Sequence, residues 1–171
     1  QYLGVFMPVL FICLKNYTFV QLCQNAIGLL GDLCRALNMN MERYSDEIFT
    51  ILMETLQNPG VDKSLRPAII STFSDFALAL GPQFTKYLKF VLETLQQAGE
   101  AVVDMNDVDM VEYLNELRNS CLEAYTGIIQ GMKEHNTDLS VVEPALPHIL
   151  HFIELVSNEE VTTDSMIATA S

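Results

Sequence analysis

Positive charge is scarce in this 171-residue chain: Lys+Arg 9 stand against Asp+Glu 22, for a net charge of -13. A phosphate backbone or an anionic membrane surface would be repelled by such a chain. Nucleic acid and membrane are therefore set aside as partners, and a basic protein segment is the natural complement. Glycine and proline are sparse, at 8 and 6 residues, and 50% of the chain is hydrophobic. That composition excludes a disordered tail and suits one folded domain, or one piece of a larger one. The four cysteines, Cys13, Cys23, Cys34 and Cys121, contain no CxxC spacing. They fall on the apolar sides of predicted helices, which reads as reduced, buried thiols in a reducing compartment.

The longest uncharged apolar run, Tyr2 to Leu14, is shorter than the roughly 20 residues that span a bilayer. It lacks the basic flank and small-residue cleavage site of a signal peptide, so a buried helix in a fragment of a longer chain is expected. GxSxG, P-loop, GxGxxG and HExxH are all missing, and neither an enzyme nor a cofactor is expected. His148, His151 and Glu154 share a helical face at three-residue spacing, an arrangement far commoner among ordinary surface side chains than among metal ligands.

What the chain has in quantity is helical periodicity. From Asp107 to Lys133, Val111, Leu114, Leu117, Cys121, Leu122, Tyr125, Ile128, Ile129 and Met132 fall on one face of a helix at about 100° per residue. Asp109, Glu112, Glu116, Asn119 and Glu123 recur on the opposite face. Carboxylates at i,i+3 and i,i+4 repel one another, and burying the other face does not require them. The row is either a solvated face or a surface that receives something basic.

Other helices are predicted over 3–15, apolar nearly all round with Pro8 as a kink or first turn, and over 19–37. Ser45 is expected to cap a third that runs to Leu56, before Asn58-Pro59-Gly60 ends it. Further helices are predicted over 63–80, stopped by Gly81-Pro82, over 84–97 and over 143–157, and another begins at Thr162. No stretch alternates with period two, so no strands are expected.

The helices pair, and the pairs recur. Gly31-Asp32-Leu33-Cys34-Arg35-Ala36-Leu37 aligns with Ser74-Asp75-Phe76-Ala77-Leu78-Ala79-Leu80, and Thr126 to Met132 is a weaker third member. The intervals are about 43 and about 52 residues, in or near the range of HEAT and armadillo units. The Lys63 to Pro67 opening (KSLRP) fits two-helix HEAT units better. The expected fold is an all-α HEAT-repeat solenoid of about four helix pairs, with repeats near 1–40, 41–81, 82–135 and a truncated 140–171. In such a stack the second helices line the concave surface. Asp32, Asp75, Asp109, Glu112, Glu116 and Glu123 would then aim into one groove, which favours a binding surface over mere solvation.

NAIGLLGDLCRALN (Asn25–Asn38), YLKFVLETLQQA (Tyr87–Ala98) and above all DMVEYLNELRNSCLEAYTGIIQGMK (Asp109–Lys133) resemble the C-terminal HEAT repeats of the importin-beta family of nuclear import receptors. The likeness runs from about Phe6 to Asp164. It implies a non-enzymatic carrier, moving between cytoplasm, nucleus and the pore of the nuclear envelope. Its acidic concave face would wrap the basic helical segment of importin alpha, and its outer face would bind phenylalanine-glycine nucleoporins. Ran-GTP would release the cargo, chiefly through repeats outside this segment. The resemblance carries the concave role onto Asp32, Asp75, Asp109, Glu112, Glu116 and Glu123. The family's ligand-gripping tryptophans lie in earlier repeats, and with Trp 0 this chain is expected to hold only part of the basic ligand, weakly and in a salt-sensitive way. A HEAT scaffold organising an unrelated complex, such as a phosphatase-type assembly, is the alternative. The row Phe84, Tyr87, Leu88, Val91, Leu92 and Leu95 reads first as core and second as a phenylalanine-binding crevice.

Overall fold

The computed structural model of the chain describes residues 3–169. Within them lie seven α-helices and no strand: α1 (Leu3–Lys15), α2 (Val20–Leu37), α3 (Glu42–Gln57), α4 (Leu65–Leu80), α5 (Thr85–Gly99), α6 (Val108–Glu134) and α7 (Leu146–Thr169). The chain is a HEAT-type stack of antiparallel helix pairs, α1/α2, α3/α4 and α5/α6, in two layers. Helices α2, α4 and α6 pack side by side as an inner layer, with α1, α3, α5 and α7 outside them.

Two junctions show the repetition at the level of backbone angles. Asn38 follows α2 with φ 47 and ψ -131, and Gly81 follows α4 with φ 52 and ψ -124. Each donates its N–H to a carbonyl of the last helical turn, Cys34 and Ala77 respectively. A one-turn 3-10 segment then leads directly into the next outer helix, Asn38–Met41 before α3 and Gly81–Phe84 before α5. Glycine and asparagine tolerate positive φ better than other residues, so the same bend is encoded twice by different side chains.

The core lies between the layers and is centred on Phe49 of α3. Its ring stacks on Tyr87 of α5 at 3.8 Å between centroids, and meets Phe76 at 5.0 Å, Phe73 at 5.9 Å and Phe84 at 6.1 Å. Helices α3 and α5 therefore touch through wide rings. The inner helices do the opposite. A Cβ placed on Gly131 of α6 would lie 2.6 Å from the carbonyl oxygen of Ala77 on α4, and Gly127 packs directly on Ser74. Large residues between the outer helices and small ones between the inner helices make each repeat a wedge. Stacked wedges of this kind are expected to curve toward their narrow side, here the layer of α2, α4 and α6.

Two local expectations fail. Ser45 does not cap α3, which begins at Glu42; Ser45 is buried in its first turn and donates to the Glu42 carbonyl at 2.7 Å. The preceding 3-10 turn, anchored by buried Met41, feeds the helix without a cap. Likewise, no separate helix begins at Thr162: α7 runs unbroken from Leu146 to Thr169. Ser157 to Val161 contain neither glycine nor proline to stop it. Residues 170–171 of that expected helix lie outside the described residues. Leu139–Asn158 has the length and mean hydropathy, 1.3, of a membrane span. It opens, however, with the 3-10 turns Leu139–Val141 and Glu143–Ala145, and its Phe152 packs on Tyr125 of α6.

The close approach of α4 and α6 makes a testable contrast between glycines. Alanine normally stabilises a helix over glycine by about 1 kcal/mol. Gly28 of α2 has nothing within 4 Å of an added Cβ, and Gly28→Ala is expected to raise the melting temperature. Gly131→Ala is expected to lower stability by about 1–3 kcal/mol, because the methyl group meets backbone that cannot step aside. Urea denaturation of the two variants checks both signs.

Candidate functional site: the acidic face of the inner helices

Helix α6 is held in place at its amino end by two devices. Asp107 caps it, its carboxylate accepting from the Met110 N–H at 3.2 Å. Lys63, from the turn between α3 and α4, reaches over to α6 with its Nζ 2.8 Å from Met110 Sδ and 5.3 Å from the centre of the Tyr113 ring. Leu114, Leu117, Cys121, Tyr125, Ile128 and Met132 then bury one side of the helix. Of the apolar face expected from the periodicity, only Ile129 is exposed, while Val111 and Leu122 are half-buried. Arg118 and Ser120 are buried too, which the apolar pattern does not foretell.

The six carboxylates assigned to the concave face divide into two groups. Asp32, Asp75 and Glu123 are engaged within the protein. Arg35 of α2 donates through Nη1 to Asp75 Oδ1 of α4 at 2.7 Å, and through Nη2 to Asp32 Oδ1 at 2.8 Å. Glu123 of α6 accepts from the Ser71 hydroxyl of α4 at 2.8 Å. These bonds tie α2 to α4 and α4 to α6 in turn. Asp109, Glu112 and Glu116 are exposed, and among the described residues no cation pairs with them. They extend about 10 Å along α6.

Between the flanks runs the exposed side of α4, where Ser64, Ala68, Ser71 and Asp75 are half-buried. Small side chains there leave a trough with α2 on one wall and α6 on the other. Burial raises the Asp75 carboxyl above the usual carboxylate value; Arg35 opposes that shift, while Asp32 and Glu123 add to it. Beneath lies Cys34, fully buried, whose thiol is pushed far up by burial and further by Asp75. It is a packing residue with no access to solvent. Cys23 and Cys121 are likewise buried and Cys13 is half-buried, all four as free thiols.

The periodicity contained one of these bonds. Asp32 and Arg35 stand at i,i+3, a spacing that pairs charges on a helix. The Arg35–Asp75 bond joins different repeats and depends on how α2 and α4 slide against each other, so no local pattern reveals it. On the outer face, Phe84, Leu88, Val91 and Leu95 are buried core, with Tyr87 and Leu92 half-buried. Asp46 of α3 pairs with Lys86 at 2.7 Å and takes the Tyr87 hydroxyl, and these bonds hold its carboxyl below the ordinary range. His148, His151 and Glu154 are exposed, and the two histidines border a small cavity with Tyr125 and Phe152.

A family profile described as "Importin subunit beta-1-like, TPR repeats" matches residues 1–171. TPR and HEAT both denote stacked helix pairs, and the spacing here is that of the longer HEAT unit. Importin subunit beta-1 of Arabidopsis thaliana is 37% identical over 172 residues, covering 99% of this chain and 20% of that protein. The Schizosaccharomyces pombe protein of the same name is 35% identical over 170 residues, again 99% and 20%. The chain thus spans about a fifth of the length of the curated relatives it matches. A crystal structure of importin beta superposes with a TM-score of 0.86 at 32% identity, over 92% of this chain and 19% of that one. Two further structures, at 26% identity, describe Kap95p bound to RanGDP (TM-score 0.85; 92% of this chain, 18% of that one) and a Kap95:Nup1 complex (TM-score 0.84; 91% and 18%).

The raised Asp75 carboxyl sets a pH dependence with a definite sign. The folded chain holds that proton more tightly than the unfolded one, so Asp75 costs stability as pH rises from the unfolded value through the folded one. Asp75→Asn is therefore expected to melt no lower than the parent chain at pH 7. The difference should close on acidification below the ordinary carboxylate range. Melting curves by circular dichroism check this, and a marked loss of stability at pH 7 would mean that the Arg35 bond outweighs burial.

Proposed function

The chain belongs to the importin-beta family, and on that premise we propose that it is a segment of a nuclear transport receptor whose inner face receives a basic helix. The partner is the basic segment of importin alpha, or a basic cargo segment that takes its place. The observation that carries this reading is the row Asp109, Glu112 and Glu116, exposed on an inner helix and without a pairing cation among the described residues. Like charges at this spacing repel, and a basic helix laid in the trough relieves that repulsion along the whole row.

The mechanism is electrostatic steering followed by many weak contacts. A net charge of -13 attracts a basic segment from a distance, and salt screens that attraction. Each exposed pair contributes only about 0–1 kcal/mol, so tight grip requires repeats beyond these. Val5, Val9 and Ile12 on α1, and Leu150 and Ile153 on α7, are exposed. They are the apolar faces on which further helix pairs of a longer receptor stack. Kap95p, a relative, has been solved with RanGDP and with Nup1. We extend both classes of partner to this receptor: Ran chiefly through other repeats, and phenylalanine-glycine nucleoporins on the outer face. Such a receptor works in the cytoplasm, the nucleus and the nuclear envelope.

Fluorescence anisotropy with the labelled basic segment of importin alpha tests the reading. The unaltered chain is expected to bind weakly and to lose affinity steeply from low to high salt. Combined Glu112→Lys and Glu116→Lys substitution is expected to lower the low-salt affinity by about tenfold or more. Undiminished binding by that variant would move the chain to the scaffold class.

A further inference from the structure

Arg35 lies on the inner face between carboxylates of two helices, where a ligand's cation would stand. Arg35 spreads its two terminal nitrogens over carboxylates of different helices, Asp32 of α2 and Asp75 of α4. We propose that Arg35 is a specificity-setting residue of this surface, an internal competitor that fills the α2–α4 half of the trough and must be displaced before a basic partner can use it. The inference rests on the function proposed above and concerns how that surface discriminates.

Three features support displacement over a fixed structural bond. First, Arg35 and Asp32 are largely open to water, with 64% and 69% of their side chains exposed, and the guanidinium reaches the more buried Asp75, 22% exposed, from the solvent side. Ion pairs so exposed are weak and exchange readily with other ions. Second, α2 does not need the bond to stay in place, because Ala26, Ile27, Leu30 and Cys34 bury its inner side. Third, Asp75 is flanked by Glu123 on the α6 side, whose carboxylate is engaged, among the described residues, by the neutral Ser71 hydroxyl. Two carboxylates thus share one guanidinium with a third beside Asp75, and a second cation is attractive there once Arg35 swings into solvent.

A guanidinium already seated lowers the apparent affinity for any competitor, since only the fraction of molecules with the carboxylates free is ready to bind. An isolated lysine of a passing protein gains too little to evict it. A partner that first engages Asp109, Glu112 and Glu116 on α6 presents its next cations at high effective concentration, and so succeeds. Arg35 would thereby select extended basic helices over scattered positive charge.

The test compares Arg35→Gln with Lys89→Gln in the same chain, by anisotropy with the basic importin-alpha segment. Lys89 is 91% exposed on the outer helix α5, so its loss changes net charge equally without touching the trough. Arg35→Gln is expected to bind about two- to fivefold tighter at low salt, with Lys89→Gln near the unaltered chain. Equal effects of the two substitutions, or weaker binding by Arg35→Gln, overturn the proposal. If Arg35→Gln melts as an unfolded chain, the unaltered protein decides: saturating peptide must shift the Nε–Hε resonance of Arg35, and an unmoved resonance overturns the proposal. Absence of any salt-dependent binding by the unaltered chain is a distinct result, which removes the functional reading and this inference together.

Discussion

The approach of α6 to α4 is the constraint on which the rest of the inner surface depends. Gly127 lies on Ser74 and Gly131 on the Ala77 carbonyl, with no room for a side chain between the helices. Glycine inside a helix lowers its intrinsic stability by about 1 kcal/mol relative to alanine, a cost offset here by backbone-to-backbone packing. On the outer side, the Phe49 and Tyr87 rings occupy the corresponding space. That inequality makes the unit wedge-shaped, narrow on the side of α4 and α6. A layer spaced by glycine and serine is narrower than a layer spaced by stacked aromatic rings.

This close packing has an electrostatic consequence. Bringing α2, α4 and α6 together also brings together the carboxylates on their free sides. The protein settles part of that repulsion itself, through Arg35 at Asp32 and Asp75 and through the Ser71 hydroxyl at Glu123. Lys86 and Lys89 of the outer helix α5 pair with Asp46 and Glu93, and Lys63 lies over Tyr113. Asp109, Glu112 and Glu116 are left open. Under the function proposed above, this residual charge is what a basic partner would meet on the inner face.

Much of the fold was legible because helix burial has a short period. Nine apolar positions of α6 were read from spacing alone, and most are buried. The repeat could be read from Gly31–Leu37 and Ser74–Leu80, whose ends adopt the same positive-φ bend at Asn38 and Gly81. What escaped depends on register between elements far apart in sequence. Asp75 looked like a free groove carboxylate because nothing near it in sequence is basic, yet its partner Arg35 is 40 residues away. Ser45 looked like a cap because serine precedes an amphipathic run; it is instead buried beside Tyr87 of the next repeat, 2.8 Å from its hydroxyl. The unbroken α7 escaped because a polar stretch resembles a loop when nothing in it forbids a helix.

The most direct measurement is where a basic helix lies on the chain. A spin label attached to the importin-alpha segment broadens the amide resonances of residues within its reach. Broadening along the exposed side of α6 at Asp109, Glu112 and Glu116, extending across α4 at Ser71 and Asp75, is the predicted pattern. Broadening confined to the outer helices α3 and α5, around Asp46 and Glu93, would contradict it.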